Sequence, residues 1–138
     1  MPLRHEVRPL SGTRLPFLLR RKLRAKQRAG ATGILYFAKF RVPPRNTLSR
    51  YYRVVTVFDG RSTLCGSDPM TPASRWRDLP PGTHDLRFVV QSFKDEASFH
   101  RSVQLAPGQV LVALCVPAHS FRPFAATTPP EVWYLGVV

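Results

Sequence analysis

The 138-residue chain carries 21 Lys and Arg against eight Asp and Glu, a net charge of +13, with 43% apolar residues, 14 prolines and two cysteines. That length suits one domain with a core that needs neither metal nor disulfide framework. The proline share argues against long helices, and no run approaches the roughly 18 apolar residues of a membrane-spanning helix.

The basic charge is uneven. Residues 1–30 hold nine Lys and Arg and one acid, Glu6. Residues 1–12 read as irregular. SGTRLPFLLRRKLRAKQRAG then predicts a helix near 14–29: Ser11 or Thr13 caps it, Pro16 sits in the first turn and Gly30 stops it. Leu15, Leu19 and Leu23 recur at helical spacing with Leu18 beside them, making an apolar stripe. Arg20, Arg21, Lys22, Arg24, Lys26 and Arg28 surround it. The apolar cluster Leu15–Leu19 is too short for a secretory h-region, so Cys65 and Cys115 are expected to be free thiols and the chain cytoplasmic. An Arg-rich, acid-poor start also resembles an organellar transit peptide.

From residue 33 the period changes to that of strands. GILYFAKFRV places Ile34, Tyr36, Ala38 and Phe40 on one face, and 42–50 is a loop. YYRVVTVF (51–58) runs to Asp59-Gly60, a strong hairpin signal, and RSTLC (61–65) returns. After a loop at 66–74, RWRDL (75–79) is a short strand. LPPGTHDLRFVV (79–90) and LAPGQVLVALCV (105–116) share Leu-x-Pro-Gly. In each, a strand ends on a core leucine, and Pro-Gly supplies the fixed and the positive φ of a type II turn. His84, Leu86, Phe88 and Val90 share one side of the first following strand. The second, QVLVALCV, is a continuous apolar run, as in a strand central to a sandwich. SFHRSVQL (98–105) and EVWYLGVV (131–138) complete the set, with a Pro-rich loop at 117–130. The expectation is an all-β fold: an antiparallel β-sandwich of about seven strands, prealbumin- or Ig-like, over 33–138, preceded by a basic arm (1–32) with an amphipathic helix.

VFDG (57–60), LPPGTHDLRF (79–88) and VQLAPGQ (103–109) resemble small bacterial prealbumin-like sandwich modules, of which PEGA domains are one group. The likeness covers about residues 51–116. It implies a non-catalytic adhesion or interaction module, often in exported or membrane-tethered proteins. Those modules lack a basic helical arm.

Motifs of chemistry are sparse. Cys65, His84, His100, Cys115 and His119 are the metal-ligand types, but Cys115 and His119 make one C-x₃-H pair without a second, so no metal or other cofactor is expected. No nucleophile elbow, phosphate loop or dinucleotide fingerprint occurs. No catalytic residue is assigned, and a small His/Cys enzyme is the weakest alternative. Tyr51, Tyr52, Arg53, Arg75, Trp76 and Arg77 interleave rings with guanidiniums; exposed, they would stack bases or anchor a protein, and buried, they are core. The leading expectation is a non-enzymatic adaptor. Its basic residues Arg20, Arg21, Lys22, Arg24, Lys26 and Arg28 dock an anionic partner: an acidic protein surface, nucleic acid or an anionic membrane. Leu15, Leu18, Leu19 and Leu23, with Phe17, need burial on the sandwich, in a bilayer or in a partner's groove. Edge strands offer self-association. No small-molecule substrate is expected.

Overall fold

The computed structural model describes residues 3–40, 52–71, 74–93, 95–118 and 130–138. The protein is mostly β. Strand β1 is His5–Pro9, followed by a 3-10 turn at Leu10–Gly12 and helix α1 at Phe17–Arg28. Then come β2 (Gly33–Ala38), β3 (Val54–Asp59), β4 (Ser62–Ser67), β5 (Arg75–Asp78), β6 (Gly82–Gln91), β7 (Glu96–Leu105), β8 (Val110–Val116) and β9 (Glu131–Val137). Two sheets pack as a sandwich, one ordered β1-β9-β8-β2-β5 and the other β4-β3-β6-β7.

Three expectations are corrected. The described residues hold nine strands where about seven were expected. One that pattern reading missed is β1, in the stretch read as irregular: it is a five-residue edge strand, HEVRP, and pairs with a strand at the other end of the chain. The five-stranded sheet is mixed, not antiparallel, because β1 runs parallel to β9 and β2 parallel to β8; the four-stranded sheet is antiparallel throughout. Finally, α1 starts at Phe17 with Pro16 as its N-cap residue, and no side chain caps it, so neither Ser11 nor Thr13 plays that part. The loop at 42–50 and most of 117–130, with Tyr51 and His119, lie outside the described residues.

The helix C-terminus follows its sequence signal. Gly30 takes φ 69°, its N–H bonds the Gln27 carbonyl at 3.0 Å, and the Ala31 N–H reaches back to the Lys26 carbonyl at 3.1 Å. This is the Schellman closure that a glycine after a helix permits. Thr32 then ties the helix exit to both Leu-x-Pro-Gly segments. Its hydroxyl oxygen accepts from the Gly108 N–H at 2.7 Å, and its carbonyl accepts from the Leu79 N–H at 3.0 Å. Leu79 and Leu105 are both buried.

The two Pro-Gly turns are not alike. At the second, Gln109 N–H bonds the Ala106 carbonyl at 3.0 Å and Gly108 has φ 83°, the expected type II geometry. At the first, the Pro80 carbonyl accepts from His84 Nε2 at 2.7 Å, while His84 Nδ1 meets an Asp59 carboxylate oxygen at 2.9 Å. Both partners are acceptors, so both ring nitrogens donate only in the imidazolium. The Pro80 bond is the largest influence; it and Asp59 together raise the His84 pKa above its usual 6.5 against the opposing cost of burial, which ranks second. His5 is the opposite case. Its ring packs on Phe99 at 4.8 Å, and burial lowers its pKa below 6.5 against smaller raising influences from the Ala97 backbone and Glu131.

The two histidines therefore bias stability in opposite directions. The His84 contribution is fully present below its unfolded pKa and is lost as pH rises through the raised folded value. The His5 contribution is lost as pH falls, because the unfolded chain takes up the proton first. Urea midpoints measured across pH should show His84→Gln flattening the alkaline limb and His5→Phe the acid limb. A variant with an unchanged limb would remove that histidine from the account.

The main core lies between the sheets. Ile34 and Tyr36 of β2, Leu111, Ala113 and Cys115 of β8, and Trp133 of β9 meet Val55, Val57, Leu86, Phe88 and Val90. Phe88 stacks on Phe99 with ring centroids 4.9 Å apart and meets Trp133 edge-on at 5.0 Å. A second, smaller core lies on the other face of the five-stranded sheet. There Leu35, Val110 and Val112 receive Leu19 of α1, with Leu10, Leu15, Leu23, Phe37 and Trp76 partly buried around them. Strands β2 and β8 are thus covered on both faces, which is why GILYFA and VLVALCV read as unbroken apolar runs.

A buried ion pair fastens one sheet to the other. Arg53, just before β3, donates its Nε to Glu131 of β9 at 2.7 Å, with side-chain exposures of 4% and 1%. The other Glu131 carboxylate oxygen accepts from the Ala118 N–H beyond the end of β8.

Candidate functional site

Docking of α1 sorts its side chains into two groups. Leu19 and Leu23, with Leu15 just before the helix, turn to the sheet; Leu19 is 3% exposed. Phe17, Arg21, Arg24 and Arg28, spaced four, three and four, share the opposite face, with Arg20 beside them. These five side chains line a shallow cleft of about 230 Å³. Leu18 stands apart from the other leucines at 74% exposure and, with Phe17 at 66%, projects from the first turn.

The six expected basic residues do not share one face of the helix. Lys22 and Lys26 turn toward the edge of the five-stranded sheet: Lys22 Nζ is 3.5 Å from the Ser74 hydroxyl, and Lys26 Nζ lies 4.7 Å from the centre of the Trp76 ring. The four arginines remain. Among the described residues none of them forms an ion pair with a carboxylate, and Arg20 Nε is buried without a hydrogen-bond partner. α1 carries no acidic residue, so nothing within the helix neutralises the cleft. Guanidiniums in a row present planar pairs of donors suited to the oxygens of phosphate or carboxylate, which lysines meet only as point charges.

The remaining candidates do not come together. His84 is held by Asp59 and Pro80 on the core side of β6. His100 is exposed and pairs in register with Arg87, on the outer face of the same sheet. Cys65 and Cys115 are both free and buried; desolvation pushes the Cys65 thiol up to about 11 and the Cys115 thiol well above its usual range, so both are protonated at neutral pH. Among the described residues no cluster of three His, Cys, Asp or Glu side chains has the arrangement to hold a metal ion. The interleaved aromatic and arginine set is also dispersed. Arg53 is buried with Glu131, Trp76 is half-buried beneath α1 with its Nε1 on Asp78 at 2.9 Å, and Tyr52 stacks on Phe93 at 5.3 Å.

Sequence reasoning counted Phe17 among the residues in need of burial. The signal that separates it was present: Phe17 is in phase with the arginines at 21, 24 and 28 and out of phase with Leu15, Leu19 and Leu23. The fold and this face together define a β-sandwich that wears one short cationic helix on an outer surface. Compared with known proteins, the chain matches no family model, no curated protein and no solved structure.

Proposed function

We propose that this protein is a non-catalytic interaction module in which the sandwich is a scaffold and the outward face of α1 captures an anionic partner. The observation that carries the reading is the cleft lined by Arg20, Arg21, Arg24 and Arg28, with no carboxylate paired to any of them among the described residues. Lys22 and Lys26 contribute field, not contact, since both lean on the sheet edge. The likeness of residues 51–116 to prealbumin-like modules supports binding over chemistry, as an analogy of fold. Two unpaired thiols support a reducing, cytoplasmic setting.

The test must separate this face from the general charge of +13. The triple reversal Arg20→Glu, Arg21→Glu, Arg24→Glu is compared with a control of equal charge change on the four-stranded sheet and its hairpin, Arg61→Glu, Arg87→Glu, Arg101→Glu. On a polyanionic column eluted with salt, the helix variant should lose retention and the control should keep most of it. Each lost phosphate-type contact should also lower the salt dependence of binding, with a slope change of about 0.9 per contact on duplex DNA. Equal behaviour of the two variants would reduce the cleft to ordinary surface charge.

A further inference from the structure

We propose that the anionic partner is a phospholipid surface, along which α1 lies with Phe17 and Leu18 seated at the acyl-chain boundary and Arg21, Arg24 and Arg28 on lipid phosphates. The inference rests on the anion-capture reading above and names its partner. Phe17 and Leu18 are the two most exposed large hydrophobic side chains among the described residues. They are consecutive in the first turn, and Phe17 lines the same cleft as the arginines. A helix bound at a bilayer interface needs apolar side chains to insert and cations for the headgroups. The leucine stripe cannot supply the insertion here, because Leu15, Leu19 and Leu23 are committed to the sheet. Phe17 and Leu18 are what the exposed side of α1 retains for it.

The choice of lipid over polynucleotide turns on Leu18. A polyanion's phosphates would be met by the arginines alone, and Phe17 would stack on an unpaired base. An aliphatic side chain 74% exposed would meet a polynucleotide only as a wedge between bases or against a thymine methyl, at the cost of unstacking, whereas the acyl-chain boundary of a bilayer takes Leu18 and Phe17 side by side. The net charge of +13 adds attraction toward a leaflet rich in anionic lipid. Among the described residues no helix is long and apolar enough to cross a membrane, so the attachment proposed for α1 is to the surface.

The full chain is sedimented with vesicles of phosphatidylserine and phosphatidylcholine in equal parts, with vesicles of phosphatidylcholine alone, and in parallel titrated with duplex and single-stranded polynucleotide. Two variants at exposed positions accompany it, Phe17→Ser/Leu18→Ser and Arg21→Gln/Arg24→Gln, each checked for a native circular dichroism spectrum. Capture by the serine-containing vesicles alone is expected. Loss of two arginines should lower the partition by about 30-fold, at roughly fivefold per cation near an anionic surface. Loss of the two apolar side chains should lower it by about tenfold or more and leave retention on the polyanionic column unchanged. Absence of vesicle binding, or vesicle binding indifferent to Phe17→Ser/Leu18→Ser, overturns the lipid assignment. If arginine-dependent polynucleotide or column binding survives that result, anion capture stands with a different partner. If the arginine variant behaves as the parent on every surface, both readings fall.

Discussion

Glu131→Ala is expected to destabilise the protein by about 3–5 kcal/mol, the cost of leaving one member of a buried ion pair without the other. The carboxylate is 1% exposed and holds two groups at once, Arg53 Nε and the Ala118 N–H. Alanine would take the Glu131 carboxylate from a guanidinium 4% exposed and leave a buried amide without that acceptor. The sign of the effect does not imply that the pair itself is a large net contributor, because desolvating two charges offsets most of their attraction. The double replacement Arg53→Met/Glu131→Leu, which removes both charges and keeps the volume apolar, should therefore recover the part of the loss due to the guanidinium, leaving the cost of the Ala118 amide, about 1–3 kcal/mol. Urea denaturation of both single variants and the double variant measures the coupling. A Glu131→Ala cost below about 1 kcal/mol, the usual worth of a solvated pair, would show that water reaches this site and that the pair does not fasten the sheets.

Leu19→Ala is expected to cost about 2–5 kcal/mol, as for other buried leucines, and to release α1 before the sandwich unfolds. Leu19 is the residue of the helix that reaches Leu35, Val110 and Val112, and Leu15 and Leu23 are only partly buried beside it. Alone, a helix of 12 residues is marginal in water, so its persistence depends on this contact. Native-state hydrogen exchange should show amides 17–28 losing protection while those of β8 keep it. Anion binding should weaken in the same variant, since four guanidiniums share a cleft only while the helix is formed. Leu18→Ala, at 74% exposure, should change stability by less than about 0.5 kcal/mol. Equal costs at the two leucines would mean that α1 is not seated on the sheet as described.

The contrast between these leucines marks how far the chain could be read without coordinates. Helical spacing put Leu15, Leu19 and Leu23 on one line, and the structure buries that line; Leu18, grouped with them by proximity, faces water. The arginines were recognisable as a cationic set, and helical phase already set Lys22 and Lys26 on the side of Leu19 and Leu23, a division that grouping all six by charge passed over. What the two lysines meet there comes from β5, whose Trp76 lies beneath Lys26 and which is preceded by Ser74, within reach of Lys22. The unbroken apolar runs of β2 and β8 signal a sheet covered on both faces, and the helix is the second cover. Reading β2 by one face, and the β8 run only as a central strand, left the position of α1 open.

The sequence by itself determined the strands with strong patterns, the helix and its stop at Gly30, the glycine turns, and the concentration of positive charge before residue 30. Each depends on neighbours in the chain: the period of side chains, or a φ that only glycine adopts freely. Only the tertiary structure decided the parallel pairings, the existence of β1, the Arg53–Glu131 pair and the cations that α1 leaves free. These depend on contacts between residues as far apart as His5 and Glu131, which no local pattern encodes.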